Sequence, residues 1–218
     1  MIPLRDVIPS RTTPYITLTI IALNAAAWIF EVALRPDVLP AFLQVYGVVP
    51  ANFHAPTLVT SMFLHGSWSH VIGNMWYLWI FGDNVEDRVG HGRFIVFYLL
   101  CGIAAAIGHI VIDPGSTLPT IGASGAIAGV MGAYLVLYPR SRVLTLIPLV
   151  IFWEVIEVPA ILLLGFWFLM QLFSAGAIAV TSSTGGGVAF MAHVAGFLCG
   201  VGGIFLFRQR QRPEQYWA

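Results

Sequence analysis

Six apolar runs, at about residues 15–34, 67–82, 94–112, 123–138, 158–175 and 188–207, leave this chain little choice of solvent. A bilayer core of about 30 Å is crossed by roughly 20 apolar residues in a helix, and the runs approach that length. Polar or Pro/Gly-rich breaks separate them: Arg35-Pro36-Asp37, Gly82 to Arg88, Asp113-Pro114-Gly115-Ser116, Pro139-Arg140-Ser141-Arg142 and Thr181 to Gly187. Charged residues are only 9% of the 218, against about 25% in ordinary soluble domains. So few charges would not keep a fold of this size in solution. The expectation is an all-α membrane protein, one domain over 1–218, with six transmembrane helices. The stretch 143–157 is apolar but holds Pro148, Glu154 and Glu157. It reads as an interfacial loop, with a re-entrant piece or a longer fifth span as the alternatives. The first run exceeds the 7–15 apolar residues of a signal peptide and is expected to be a retained span.

Six spans put both termini on one side. If that side is cytoplasmic, Arg5, Arg11, Arg88, Arg93, Arg140, Arg142, Arg208, Arg210 and Arg212 lie inside and Arg35 alone outside. That asymmetry follows the positive-inside rule. Basic and acidic residues balance at ten each, with no basic patch for nucleic acid. Cys101 and Cys199 lack metal-type spacing, and no His-Glu-x-x-His helix is present. No metal and no cofactor is expected.

Polar side chains inside such runs are costly and usually face a cavity or a partner. The fourth run covers about 24 Å as a helix, roughly 6 Å short of the hydrocarbon core. Its outer end then starts below the outer surface, beside a water-filled or protein-walled cavity, with Ser124 at the floor. On the same count His193 lies roughly 7–8 Å deep, His70 about 4–5 Å and Asn74 about 10 Å. His70 and Asn74 are i and i+4 and share a helix face. All four converge on the outer half of the membrane. Gly125 with Gly129, and Gly196 with Gly200, are small-xxx-small pairs that let helix backbones approach closely. A lone membrane serine usually bonds back to the i−4 carbonyl, but four polar residues at one depth outweigh that reading. Ser124 and His193 have the parts of an activated nucleophile, and no acid is placed to orient the histidine. Ser124 N–H, the Asn74 amide and the His70 ring are candidates for an oxyanion hole.

At these residues the chain resembles the rhomboid family of intramembrane serine proteases, over about 58–207. The stretch His65…His70-Val71-Ile72-Gly73-Asn74 is similar to the family's second-helix motif. Gly122-Ala123-Ser124-Gly125 resembles its nucleophile motif, and Ala192-His193-Val194-Ala195-Gly196 its general-base motif. Glu86-Asp87-Arg88-Val89-Gly90 is similar to the loop after the second span. The resemblance implies a Ser124–His193 dyad, with His70, Asn74 and the Ser124 N–H as oxyanion hole. It implies cleavage of other proteins' transmembrane segments near the outer face. The compact six-span plan and the inside arginines suit a bacterial inner membrane. Substrate would enter past Ile161 to Phe173 and a cap over Ala179–Phe190 containing three glycines, 185–187. The chain departs from the family pattern twice. Pro56-Thr57-Leu58-Val59 stands where members often carry Trp-Arg, and Ala128 where many place an aromatic residue against the base. His65 is expected to bond within the first loop. The alternatives are a catalytically silent rhomboid-like protein that binds membrane clients, and a haem protein using His65, His70, His109 and His193.

Overall fold

The computed structural model describes residues 1–148, 153–181 and 190–209. Strand β1 (Ile2–Asp6) precedes helix α1 (Tyr15–Ala33). Helix α1 buries Thr17, Ile20, Asn24, Trp28 and Glu31, a three-to-four-residue repeat that turns one stripe inward. Short helices α2 (Leu39–Tyr46) and α3 (Thr57–Thr60) lead to α4 (Trp68–Val89). The Ser67 hydroxyl caps α4 by accepting the His70 N–H at 3.1 Å.

The expected break at 82–88 is helical: α4 runs on to Val89. Its carboxylates are used as caps for another helix. Glu86 accepts the Ile16 N–H at 3.0 Å, the Thr17 N–H at 2.8 Å and the Thr17 hydroxyl at 2.7 Å. These are the donors that the first turn of α1 cannot satisfy itself, at the positive end of its dipole. Asp87 accepts the Arg11 and Thr12 N–H groups just upstream. Gly90, at φ 84°, then stops α4, and α5 (His91–Ile112) begins at once.

Helix α6 (Ser124–Leu137) is the hub. Every residue from Gly125 to Tyr134 is buried, and α6 packs on α4, α5, α7 and α8. Its 14 residues rise about 21 Å, shorter than a full crossing. The contact with α8 (Phe190–Phe207) is backbone on backbone: a methyl group at Gly196 would overlap the Gly125 carbonyl oxygen, and one at Gly200 the Gly129 carbonyl oxygen. Helices α1, α5 and α8 are long and apolar enough to cross a membrane, while α6 and the 160–176 part of α7 (Ala160–Thr181) are shorter apolar helices.

The stretch expected to be an interfacial loop is mostly strand, so the fold is mostly helical rather than all-helical. Strands β2 (Arg142–Pro148) and β3 (Trp153–Pro159) pair antiparallel, Arg142 opposite Pro159 and Pro148 opposite Trp153. On the other edge of β2, β1 pairs antiparallel with a register shift between Pro3 and Arg5. Val143 and Thr145 alternate inward with period two. The expected cap over 179–190 falls mostly outside the described residues: 179–181 continue α7 and Phe190 opens α8. Glycines 185–187, Arg210 and Arg212 also lie outside them.

Candidate active site

Ser124 is the first residue of α6, with no side-chain cap ahead of it. His193 lies in the first turn of α8, at 9% exposure. The close α6–α8 packing brings His193 Nε2 to 2.8 Å from Ser124 Oγ. The other ring nitrogen, Nδ1, lies 2.8 Å from Gln171 Oε1 of α7. An amide oxygen only accepts, so Nδ1 carries the proton and Nε2 presents its lone pair to the serine hydroxyl. That is the tautomer a general base needs.

Gln171 answers what holds the ring where Ala128 offers nothing. One turn earlier on α7, Trp167 lies beside the imidazole, ring centroids 5.8 Å apart at 40°. The sequence reading missed both residues. A signal was present: Gln171 is a lone amide in the apolar run from Ala160 to Phe173, and such a group asks for a partner.

On the other wall, Asn74 Nδ2 donates to His65 Nε2 at 3.0 Å. One amide hydrogen is held by His65, and the second is left for a ligand. His65 in turn donates its backbone N–H to the buried Glu31 carboxylate of α1, at 3.2 and 3.3 Å. It therefore links α1 to α4, rather than bonding within the first loop. Burial, then the His70 ring 5.0 Å away, push the His65 imidazole down to about 4, so it is neutral at physiological pH. His70 Nδ1 accepts the Gly66 N–H at 3.4 Å, which makes Nε2 the donor. Gly122 lies against this ring edge at φ 125°, and a Cβ there would be 2.8 Å from both His70 Cε1 and Nε2. Its N–H is tied to the Ser61 carbonyl at 2.8 Å. Glycine at 122 is required twice, by conformation and by space.

Ser124, His193, His70 and Asn74 all line one cavity of about 1520 Å³, lined also by His109 and Asp113 of the α5 end and by Trp167. The α6 N-terminus, whose first N–H groups have no intrahelical partner, lines the same space through Ser124 and Gly125. The arrangement can activate a hydroxyl and surround a developing oxyanion with donors. Among the described residues, no group of three or more His, Cys, Asp or Glu side chains is set to hold a metal ion.

A family model described as the rhomboid domain matches residues 52–210. The chain is 28% identical over 190 residues to Rhomboid-like protein 11, chloroplastic, of Arabidopsis thaliana, covering 82% of this chain and 63% of that one. It is 40% identical over 85 residues to Rhomboid protease GluP of Bacillus subtilis, covering 39% and 16%. It is 29% identical over 109 residues to Rhomboid protein 1, mitochondrial, of Saccharomyces cerevisiae, covering 47% and 32%. The chain thus spans less than two thirds of the length of each of these relatives.

Proposed function

The chain belongs to the rhomboid family of integral membrane proteins, and from that premise we propose that it is an intramembrane serine endopeptidase. The observation that carries this reading is the 2.8 Å approach of His193 Nε2 to Ser124 Oγ, with Nδ1 protonated against Gln171. Ser124 attacks the scissile carbonyl as His193 takes its proton. The oxyanion gathers N–H donors from Asn74, His70 and the Ser124 backbone. Collapse expels the amine, which receives the proton from His193, and water then releases the acyl group by the same route. No acid takes part, so the reacting pair is a dyad. No metal or cofactor is needed for these steps.

In this reading α1 and α4–α8 make six crossings with both termini cytoplasmic, in a bacterial inner membrane. Arginine-bearing segments distant in sequence meet at one end, which supports that orientation: Val7 N–H bonds the Arg142 carbonyl at 3.1 Å and Gln209 N–H the Arg88 carbonyl at 2.8 Å. Substrates are transmembrane segments of other proteins, met within the bilayer and cut near its outer face. The test is cleavage of a transmembrane peptide by protein reconstituted in liposomes. Ser124→Ala and His193→Ala each abolish it while the thermal midpoint stays close to wild type. Cleavage surviving Ser124→Ala sinks the proposal. Wild-type protein that captures the peptide but never cuts it identifies a silent client-binding protein instead.

A further inference from the structure

We propose that Gln171 is the positioning residue of the dyad, and that it makes the base competent only while α7 is docked on α8. The inference rests on the proposed Ser124–His193 chemistry and adds how the base is held. Gln171 is the acceptor that fixes the His193 tautomer. Without it, the Nδ1–H loses its partner, the ring is free to turn, and the proton is free to sit on Nε2, where it blocks the serine. Trp167 and Gln171 are i and i+4, so one face of α7 supplies both a ring beside the imidazole and the acceptor at its Nδ1.

Helix α7 is held unevenly. Near the sheet it buries Ala160, Leu163 and Leu164. From Gly165 to Gly176 no residue is buried, and Phe166, Leu169, Met170, Leu172 and Phe173 are exposed. Among the described residues, this half meets α8 through Phe168 stacked on Phe197 at 4.6 Å, Trp167 against the same ring at 6.1 Å, and Gln171 on His193. A displacement of this half draws Oε1 away from Nδ1 before it disturbs α6 or the serine. Base alignment is thereby linked to the position of α7.

Other titratable groups facing His193 are His70 from α4, with His109 and Asp113 at the α5 end of the cavity. Among the described residues, the α7 face beside it carries no acid or base, and α6 offers Ser124. A carboxylate placed at 171 would therefore be a new charge at Nδ1, and its effect is readable in pH.

The experiment follows the rate of covalent labelling by a fluorophosphonate, which needs no peptide substrate, in the full chain from pH 5 to 9. Gln171→Met keeps length and removes the amide oxygen. Gln171→Glu keeps the acceptor and adds charge. Labelling by Gln171→Met is expected to fall by about tenfold or more. Gln171→Glu is expected to restore most of the rate and to move the acid limb up by about one pH unit. Thermal midpoints near wild type are expected for both. The proposal is overturned if Gln171→Met labels at the wild-type rate. It is equally overturned if both variants slow alike with an unmoved acid limb, since that is a structural effect. Labelling of Ser124→Ala at the wild-type rate removes the dyad itself and this role with it. Loss of labelling in Ser124→Ala but not in Gln171→Met removes only the role of Gln171.

Discussion

Replacing Gly196 by Ala tests whether the α6–α8 contact sets the Ser124–His193 distance. The added methyl would overlap the Gly125 carbonyl oxygen and lie 3.0 Å from its carbon and 3.3 Å from the Ala105 Cβ. Two of these obstacles are helix backbone and the third is a methyl group, so none can rotate away. Restoring van der Waals distance requires α6 and α8 to separate by about 1 Å. His193 lies three residues before Gly196, and Ser124 one residue before Gly125. The separation therefore adds almost directly to their 2.8 Å hydrogen bond, opening it to about 3.8 Å, outside bonding range. Overpacking of this kind costs about 1–3 kcal/mol of stability, and a 1 Å misplacement of reacting groups about 10²-fold in rate. Fluorophosphonate labelling rates and thermal midpoints in detergent measure both. Gly202→Ala on the same helix meets open space and serves as the control, with no loss expected. A Gly196→Ala protein that labels at the wild-type rate with an unchanged midpoint would refute the reasoning.

Two further outcomes are expected. Gly122→Ala puts a side chain at φ 125° and 2.8 Å from His70 Nε2, so labelling should drop by about 10²-fold through the oxyanion donors, with Ser124 and His193 intact. An unchanged rate would mean that His70 takes no part. At the sheet, burial pushes the Asp6 carboxyl up to about 6, the Tyr134 hydroxyl working against this and Asp83 adding to it. With an unfolded value of about 3.9, its contribution is fully present below that pH and is lost as pH rises through about 6. Asp6→Asn keeps an oxygen for the Tyr134 hydroxyl and the Asn84 amide, which bond Asp6 at 2.7 and 3.0 Å. It should gain about 1–2 kcal/mol at pH 8, allowing for partial exposure, and the gain should shrink toward pH 4.5. Thermal midpoints across that range decide it, and a gain that grows on acidification contradicts it.

The helices of this protein were legible in its sequence because hydrocarbon leaves a backbone one economical solution, and apolar run length reports it directly. The candidate site residues were legible for the same reason: Ser124, His193, His70 and Asn74 stand out where polar atoms are expensive. The small-xxx-small glycines announced a close contact, and the structure pairs Gly125 with Gly196 and Gly129 with Gly200. Other features had no local signature. The acidic residues at 83–87 look like a loop until α1 arrives to be capped by Glu86, with Asp87 holding the residues just upstream. The strands at 142–148 and 153–159 read as an apolar loop until they pair with each other and β1, far away in sequence, pairs with the first of them. Composition determined the helices, their solvent and the chemical types available for a site. Which groups meet was decided by helix rotation and lateral packing, which no local pattern encodes. The partner of His193 is the clearest case: Gln171 reaches its Nδ1 from a different helix, 22 residues away in sequence.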